Sequence, residues 1–230
     1  MNLTEKIHLL RIDFEIAVSA EKKLPRFVNV ILIFSDHITL IDTGVKASEK
    51  QIFEYIKQNG RDYSEIKTII LSHSHPDHIG SAARIKELTG CRIMTHKDEK
   101  EWIENIEIQS RERPVPGFFN LVDTSVQVDE FLSHNQELSV EEDLTLKFIH
   151  SPGHSKGSLN ILFKEDEILF TADSIPLKND IPNYDSYIDL INSLVKIRLN
   201  KQYKTLLTSW TPPLTDAEAI NRVLTEGEDY

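Results

Sequence analysis

One cysteine, Cys91, stands in a chain of 230 residues. A lone thiol excludes an internal disulfide framework and suits a reducing compartment. It opens the strand-like run Cys91–Thr95, where an inert core thiol is expected rather than a reactive one. Positive charge is also scarce: 26 Lys and Arg face 37 Asp and Glu, a net charge of −11. Sites for a phosphate backbone need concentrated Lys and Arg, so nucleic acid is not an expected partner. Such a surface still admits a small anionic substrate, which needs only one local Arg or Lys. Long apolar runs are missing too, and none approaches the length of a membrane span. Charges at Glu5, Lys6, Arg11, Asp13 and Glu15 break up any signal-peptide-like stretch near the N-terminus. The expectation is a soluble, cytoplasmic chain without membrane partners. No linker or close repeat interrupts it, and its length suits a single domain over 1–230.

What is abundant is histidine in one place. His73, His75 and His78, with Asp77, fall within six positions directly after the apolar run Thr68-Ile69-Ile70-Leu71. Imidazoles and a carboxylate gathered at the end of a buried strand are costly unless something binds them, and a divalent metal is the simplest answer. In extended chain His73 and His75 point the same way and can reach one ion. Asp77 and His78 follow where the chain turns and can face a second position.

The remaining pattern alternates strands and helices. Ile7–Phe14 reads as an edge strand, and Val28–Phe34 with Ile38–Ile41 as a buried hairpin ending in Asp42. A helix is expected from Ser48 to Gln58, with Ser48 and Gln51 as a capping box and Gly60 as its stop. Ile66–Leu71 feeds the histidines, and Ile79, Ala82, Ile85 and Leu88 recur at helical spacing. Cys91–Thr95 is a short strand, and Asp98–Ile106 is expected to be helical. Residues 107–131 break the periodicity, and a lid or pocket wall is the preferred reading. Strands follow at 136–140, 144–149, 159–163 and 168–171, the last ending in Asp173. A helix over 185–197, a strand over 204–209 and a last helix capped by Thr215 and Glu218 complete the pattern. The expected fold class is α/β (α+β), two sheets with helices outside them in a four-layer αββα sandwich.

Carboxylate and imidazole groups therefore collect at strand ends: Asp42, the His73–His78 cluster, His154 and Asp173. The chain resembles the metallo-β-lactamase superfamily of hydrolases. The matching residues are Leu40-Ile41-Asp42-Thr43-Gly44, His73-x-His75-x-Asp77-His78, Ser151-Pro152-Gly153-His154-Ser155-Lys156-Gly157-Ser158 and Phe170-Thr171-Ala172-Asp173. They occur in the family's order and span most of the chain. The resemblance implies that His73, His75 and His154 bind one metal, that Asp77 and His78 bind a second, and that Asp173 bridges them. Asp42 would orient a ligand imidazole. His150 is expected to be a hydrogen-bonded structural residue, and His96 and His134 structural or solvated.

One departure from the family pattern stands out. Members with two tightly held ions usually supply a last histidine after the final strand, where this chain has Trp210. An indole offers only an N–H donor. The expectation is one or two divalent ions, Zn first with Fe or Mn also suited, and a weaker second site. The implied activity is metal-dependent hydrolysis of a small ester, lactone, thioester or amide by metal-bound hydroxide, with Asp77 as ligand and orienting partner of the water. His75 differs from the Glu of the di-iron reductase branch. The extra domain of nucleic-acid-cleaving members is not expected, nor is the full helical region of glyoxalase-II-type thioesterases, since the sequence after Pro213 has room for only one short helix. Tyr184, Tyr187, Phe118 and Phe119 are candidates to wall a pocket, and Arg111 or Arg113 to meet a substrate carboxylate. Alternatives are a phosphodiesterase, or a non-catalytic sensing module on a degenerate site, which Trp210 motivates.

Overall fold

The ends of parallel strands carry the chemistry, so strand direction is the feature of the fold that matters most. The computed structural model describes residues 1–17, 21–178 and 183–228. The chain divides into two compact units, Met1–Thr95 with Glu99–Phe131, and His96–Asp98 with Leu132–Tyr230.

The first sheet runs in the order β1 (Ile7–Ala17), β2 (Lys23–Phe34), β3 (Ile38–Ile41), β4 (Ile66–Ile70), β5 (Arg92–His96) and β6 (Glu130–Leu132). The hairpin strands β1, β2 and β3 pair antiparallel, whereas β3, β4 and β5 pair parallel. Residues leaving β3 and β4 at their C-terminal ends therefore emerge side by side. Ile38–Ile41 and Val28–Ile33 are wholly buried, as the near-continuous run of β-branched and aliphatic side chains demands. One face packs Val30, Leu32 and Leu40 against Ile52 and Ile56 of α1 (Glu49–Gln58) and Ile85. Each such fully buried side chain contributes about 2 kcal/mol by leaving water.

Two local expectations are corrected here. Ser48 does not cap α1: it already has helical dihedrals and makes no capping bond. Ser81 supplies the oxygen instead, accepting the Glu49 N–H at 3.2 Å while donating to the Val45 carbonyl at 2.7 Å. The helical stretch after the histidines is also split, into α2 (Pro76–Ile79) and α3 (Ala82–Thr89), the latter stopped by Gly90 in the left-handed conformation. Gly80 lies at that break. A Cβ there would stand 2.4 Å from the Leu121 carbonyl oxygen and 2.5 Å from the Lys46 nitrogen, so only glycine admits this approach.

Residues 107–131 are not a lid in their larger part. After α4 (Lys100–Glu104) come α5 (Ile106–Glu112) and α6 (Phe118–Leu121), and Phe118, Leu121, Val122 and Val126 join the first unit's core. The apolar residues alternate with turns rather than with a helical or strand period, which hides their burial in the sequence. Phe119 and Arg111 are exposed.

The second sheet has the order β11 (Thr205–Leu207), β10 (Ile168–Phe170), β9 (Leu159–Phe163), β8 (Leu144–His150) and β7 (Glu137–Glu141). Its pairs are antiparallel except β10 with β11. Hence β8, β10 and β11 run the same way, and the segments following them share one edge. α7 (Tyr187–Leu199) packs Leu190, Leu194 and Ile197 with Leu224 of α8 (Ala217–Glu228). Ser186 caps α7 by accepting from the Asp189 N–H. Asp216, rather than the expected Thr215, accepts the Ala219 N–H at the start of α8.

Candidate metal-binding residues

Asp42 follows β3 and Ser72 follows β4, and the parallel pairing of these strands sets them together. Asp42 is fully buried and holds a left-handed φ of 61°, an uncommon conformation for a residue with a side chain. Its backbone N–H donates to the Ile70 carbonyl at 2.9 Å. Its carboxylate accepts from the Ser72 N–H at 2.8 Å, from the Ser72 hydroxyl at 2.7 Å and from His78 Nδ1 at 2.8 Å. One acidic residue thus ties two strand ends to the histidine segment.

These bonds also assign tautomers. The single Ser72 hydroxyl proton goes to Asp42, so at 3.0 Å His73 Nδ1 is the donor and the Ser72 oxygen the acceptor. His78 Nδ1 carries its proton toward Asp42. Both rings then carry their lone pair on Nε2. His73 Nε2 lies 3.1 Å from His75 Nδ1, and His78 Nε2 lies 3.4 Å from Asp77 Oδ2. Lone-pair donors at such separations suit a shared divalent cation, and hydrogen-bonded imidazole is the form in which histidine ligates one.

The backbone beneath is equally held. Thr43 donates both its N–H and its hydroxyl to the His78 carbonyl, each at 2.8 Å. Ser74 donates its N–H to the buried Glu99 carboxylate at 2.9 Å, its hydroxyl donates to the same oxygen, and Gln109 Nε2 donates to the Ser74 carbonyl at 2.7 Å. His75 is the N-cap of α2 with Pro76 at its first position, which turns Asp77 and His78 off the extended segment. Sequence reading missed Ser72, Ser74, Glu99 and Gln109. A Ser-His-Ser-His alternation is a usable signal for the serines, but nothing local marks Glu99 or Gln109.

In the second unit, His154 Nδ1 donates to the Asn183 carbonyl at 2.7 Å, again leaving Nε2 with its lone pair. That atom lies 3.4 Å from Asp173 Oδ2, the same spacing as between His78 and Asp77. The loop is folded on itself: Ser151 N–H donates to the Ser158 carbonyl at 2.8 Å, and the Ser155 and Ser158 hydroxyls are 2.7 Å apart. Gly153, at φ 137°, sits so close to α7 that a Cβ would lie 2.4 Å from Leu190 Cα. Asp173 follows Ala172, whose φ of 46° turns the chain off β10, and Ser209 N–H donates to the Ala172 carbonyl at 3.1 Å. Trp210 therefore begins one residue beyond a direct neighbour of the Asp173 turn.

His96, His134 and His150 are set in hydrogen bonds and a ring stack. His150 Nε2 donates to the Lys156 carbonyl at 2.9 Å, and its main-chain N–H donates to His134 Nδ1 at 3.2 Å. His96 is buried and stacks on His150. Burial first, then the neighbouring His150, holds His96 below its ordinary pKa. Partial desolvation also lowers the pKa of the more exposed His134, reinforced by Lys196. Cys91 is buried and its thiol is pushed up in pKa by desolvation, in keeping with an inert core thiol.

The model for the metallo-beta-lactamase superfamily matches residues 24–211. The chain belongs to that superfamily. Among curated members it is 26% identical to a probable metallo-hydrolase of Bacillus subtilis over 62% of this chain and 63% of that protein. It is 25% identical to a hydroxyacylglutathione hydrolase of Pelagibacter ubique over 65% of this chain and 52% of that protein. The chain thus spans less than two thirds of either relative's length. A metallo-beta-lactamase family protein of Thermus thermophilus shares the fold at TM-score 0.77, with 19% identity over 99% of this chain and 80% of that one. A subclass B3 metallo-beta-lactamase of Bradyrhizobium japonicum superposes at TM-score 0.66, with 24% identity over 80% of this chain and 71% of that one. The mixed α/β fold of that superfamily, with two sheets and flanking helices, is therefore this chain's fold. Among the described residues no helix is long and apolar enough to cross a membrane.

Proposed function

We propose that the chain is a metal-dependent hydrolase of a small ester, lactone, thioester or amide. The carrying observation is the common tautomer of His73, His78 and His154. Each has Nδ1 engaged as a donor and its Nε2 lone pair retained, beside a further donor atom 3.1–3.4 Å away. In this reading, which membership of the superfamily supports, His73, His75 and His154 would hold one ion, Asp77 and His78 the second, and Asp173 would be shared between them. Imidazole with carboxylate is the donor set of Zn, with Fe and Mn also suited. A bound ion of this class lowers the pKa of a water toward neutrality and polarises a substrate carbonyl. Asp77 accepts a hydrogen bond from the attacking water and orients it, and Asp42 keeps the imidazole of His78 in its ligating tautomer.

The second site lacks a ligand where Trp210 stands, because an indole has no lone pair to give a cation. One firmly held ion and one weaker ion follow. Metal content per chain after dialysis tests this, and two equally retained ions overturn it.

Thioesters have particular support. A relative named hydroxyacylglutathione hydrolase from Haemophilus influenzae is 25% identical over 72% of this chain and 76% of that protein. That overlap removes the weight of the short segment after Pro213 as an argument against a thioesterase. The decisive assay presents metal-loaded protein with ester, lactone, thioester, amide and bis-aryl phosphate panels. Turnover on a carbonyl panel, lost in His75→Ala and Asp77→Ala chains that remain folded, is the expected result. Release from the bis-aryl phosphate alone would mean a phosphodiesterase. No turnover with tight ligand binding would favour the sensing module that Trp210 motivates.

A further inference from the structure

The second unit holds a cluster of ligating groups that the hydrolase reading does not use. His96, at the end of β5, and His150, at the end of β8, stack nearly parallel, with ring centroids 4.1 Å apart and 10° between planes. Asp98 stands beside them, its Oδ2 3.5 Å from His96 Nδ1. One donor atom from each of the three lies within 4.8 Å of the others.

We propose that His96, Asp98 and His150 form a further binding site for a borderline transition-metal dication such as Zn, sharing no residue with the ligands assigned above. Two ligands about 2.1 Å from a tetrahedral ion stand about 3.4 Å apart, which the His96 Nδ1 to Asp98 Oδ2 separation already matches. His150 is prepared in the way ligating histidines usually are. Its Nε2–H is committed to the Lys156 carbonyl at 2.9 Å, which leaves Nδ1 with the lone pair. His134 braces the same residue by accepting its main-chain N–H at 3.2 Å. Two features give way on binding: the parallel stack, which must tilt so that the in-plane lone pairs of the two rings converge, and the long 3.4 Å bond from the Asp98 N–H to His96 Nδ1. That bond lies beyond the usual N–H···O range and is readily given up.

The donor set selects the ion. Two imidazoles and one carboxylate are poor partners for Ca and Mg, which take oxygen, and good ones for Zn, Ni and Cu(II). Three protein donors leave a fourth position for water or an incoming ligand. His96 is buried, His150 half-buried and Asp98 exposed, so an ion has a path in from the Asp98 side. A net charge of −11 raises the local concentration of cations around the whole chain.

The test uses the full chain, stripped with a chelator and titrated with Zn under equilibrium dialysis with elemental analysis. Wild type is compared with Asp98→Asn and with His150→Phe, which keeps a ring in the stack. The expected result is one fewer Zn retained per chain in His150→Phe. In Asp98→Asn the same ion should bind about tenfold or more weakly, with turnover of the best panel substrate unchanged. Ring-nitrogen NMR signals of His96 and His150 should shift on Zn addition in a chain whose His73 and His75 are replaced by alanine. Equal stoichiometry and affinity in all three chains, or ring signals unmoved by excess Zn, would overturn the site. If His150→Phe fails to fold, Asp98→Asn and the ring signals decide between these outcomes.

Discussion

The donor atoms of the first unit and those of the second are held by different chemistry. In the first, side chains do the holding: Asp42 grips Ser72 and His78, and Glu99 grips Ser74, all of them buried. In the second, backbone does it: His154 donates to the Asn183 carbonyl, and Gly153 lets its loop lie against Leu190 of α7. A carboxylate brace can be removed by one substitution, whereas a carbonyl brace can be disturbed only by moving the chain. The first half is thus vulnerable to changes of charge, the second to changes of volume.

Asp42→Ala is the hardest blow to this contrast. It leaves a buried N–H, a hydroxyl and an imidazole without their acceptor, and should cost about 3–5 kcal/mol of stability. Metal affinity should fall about 10–100-fold in chains that still fold, read by competition with a chromophoric chelator. If Asp42→Ala retained wild-type affinity, the side-chain brace would be incidental. Gly153→Ala probes the second half by volume alone, since its Cβ would stand 2.4 Å from both Leu190 Cα and Leu190 N. We expect a loss of about 2–3 kcal/mol in denaturant unfolding, with no change in the charge of the site. Glu99→Gln should be milder, about 1–2 kcal/mol, because an amide oxygen still accepts while the charge is lost. A loss as large as that of Asp42→Ala would mean that the Ser74 clasp, rather than Asp42, carries the first half.

The smallest expected effect is a control outside both ligand sets. His8 is buried between Phe34 and Tyr55, donates Nε2–H to the Glu5 carbonyl at 3.2 Å and accepts the Tyr55 hydroxyl at 3.2 Å. Desolvation, aided by the N-terminal charge, holds its pKa below the ordinary 6.5 despite the opposing Glu5 bond. The unfolded chain therefore binds this proton first as pH falls. The stability His8 contributes is complete above about pH 6.5 and is lost as pH drops toward the lowered folded value. Metal-free wild type should lose melting temperature over that window, and His8→Phe should lose less. An identical decline in both would assign the acid sensitivity elsewhere.

Much of this was legible in the residues. The strands leading to Asp42 and to His73, the hairpin leading to Asp173, and the helix end at Gly90 all follow from apolar runs and glycine. The braces were not. Ser81 replaces Ser48 as the cap of α1 across 32 positions, and Glu99 reaches Ser74 across 25. Local pattern cannot report a partner so far along the chain. Phe118 and Val126 likewise looked like lid residues because their burial has no period.

The sequence by itself determined which atoms are available for metal and roughly where strands deliver them, since donor chemistry and hydrophobic period are properties of residues in order. Only the tertiary structure decided the tautomers, the φ of 61° at Asp42, and the meeting of His96 with His150. Those depend on which acceptor stands within about 3 Å of each nitrogen. That distance is set by packing between strands and helices far apart in the chain.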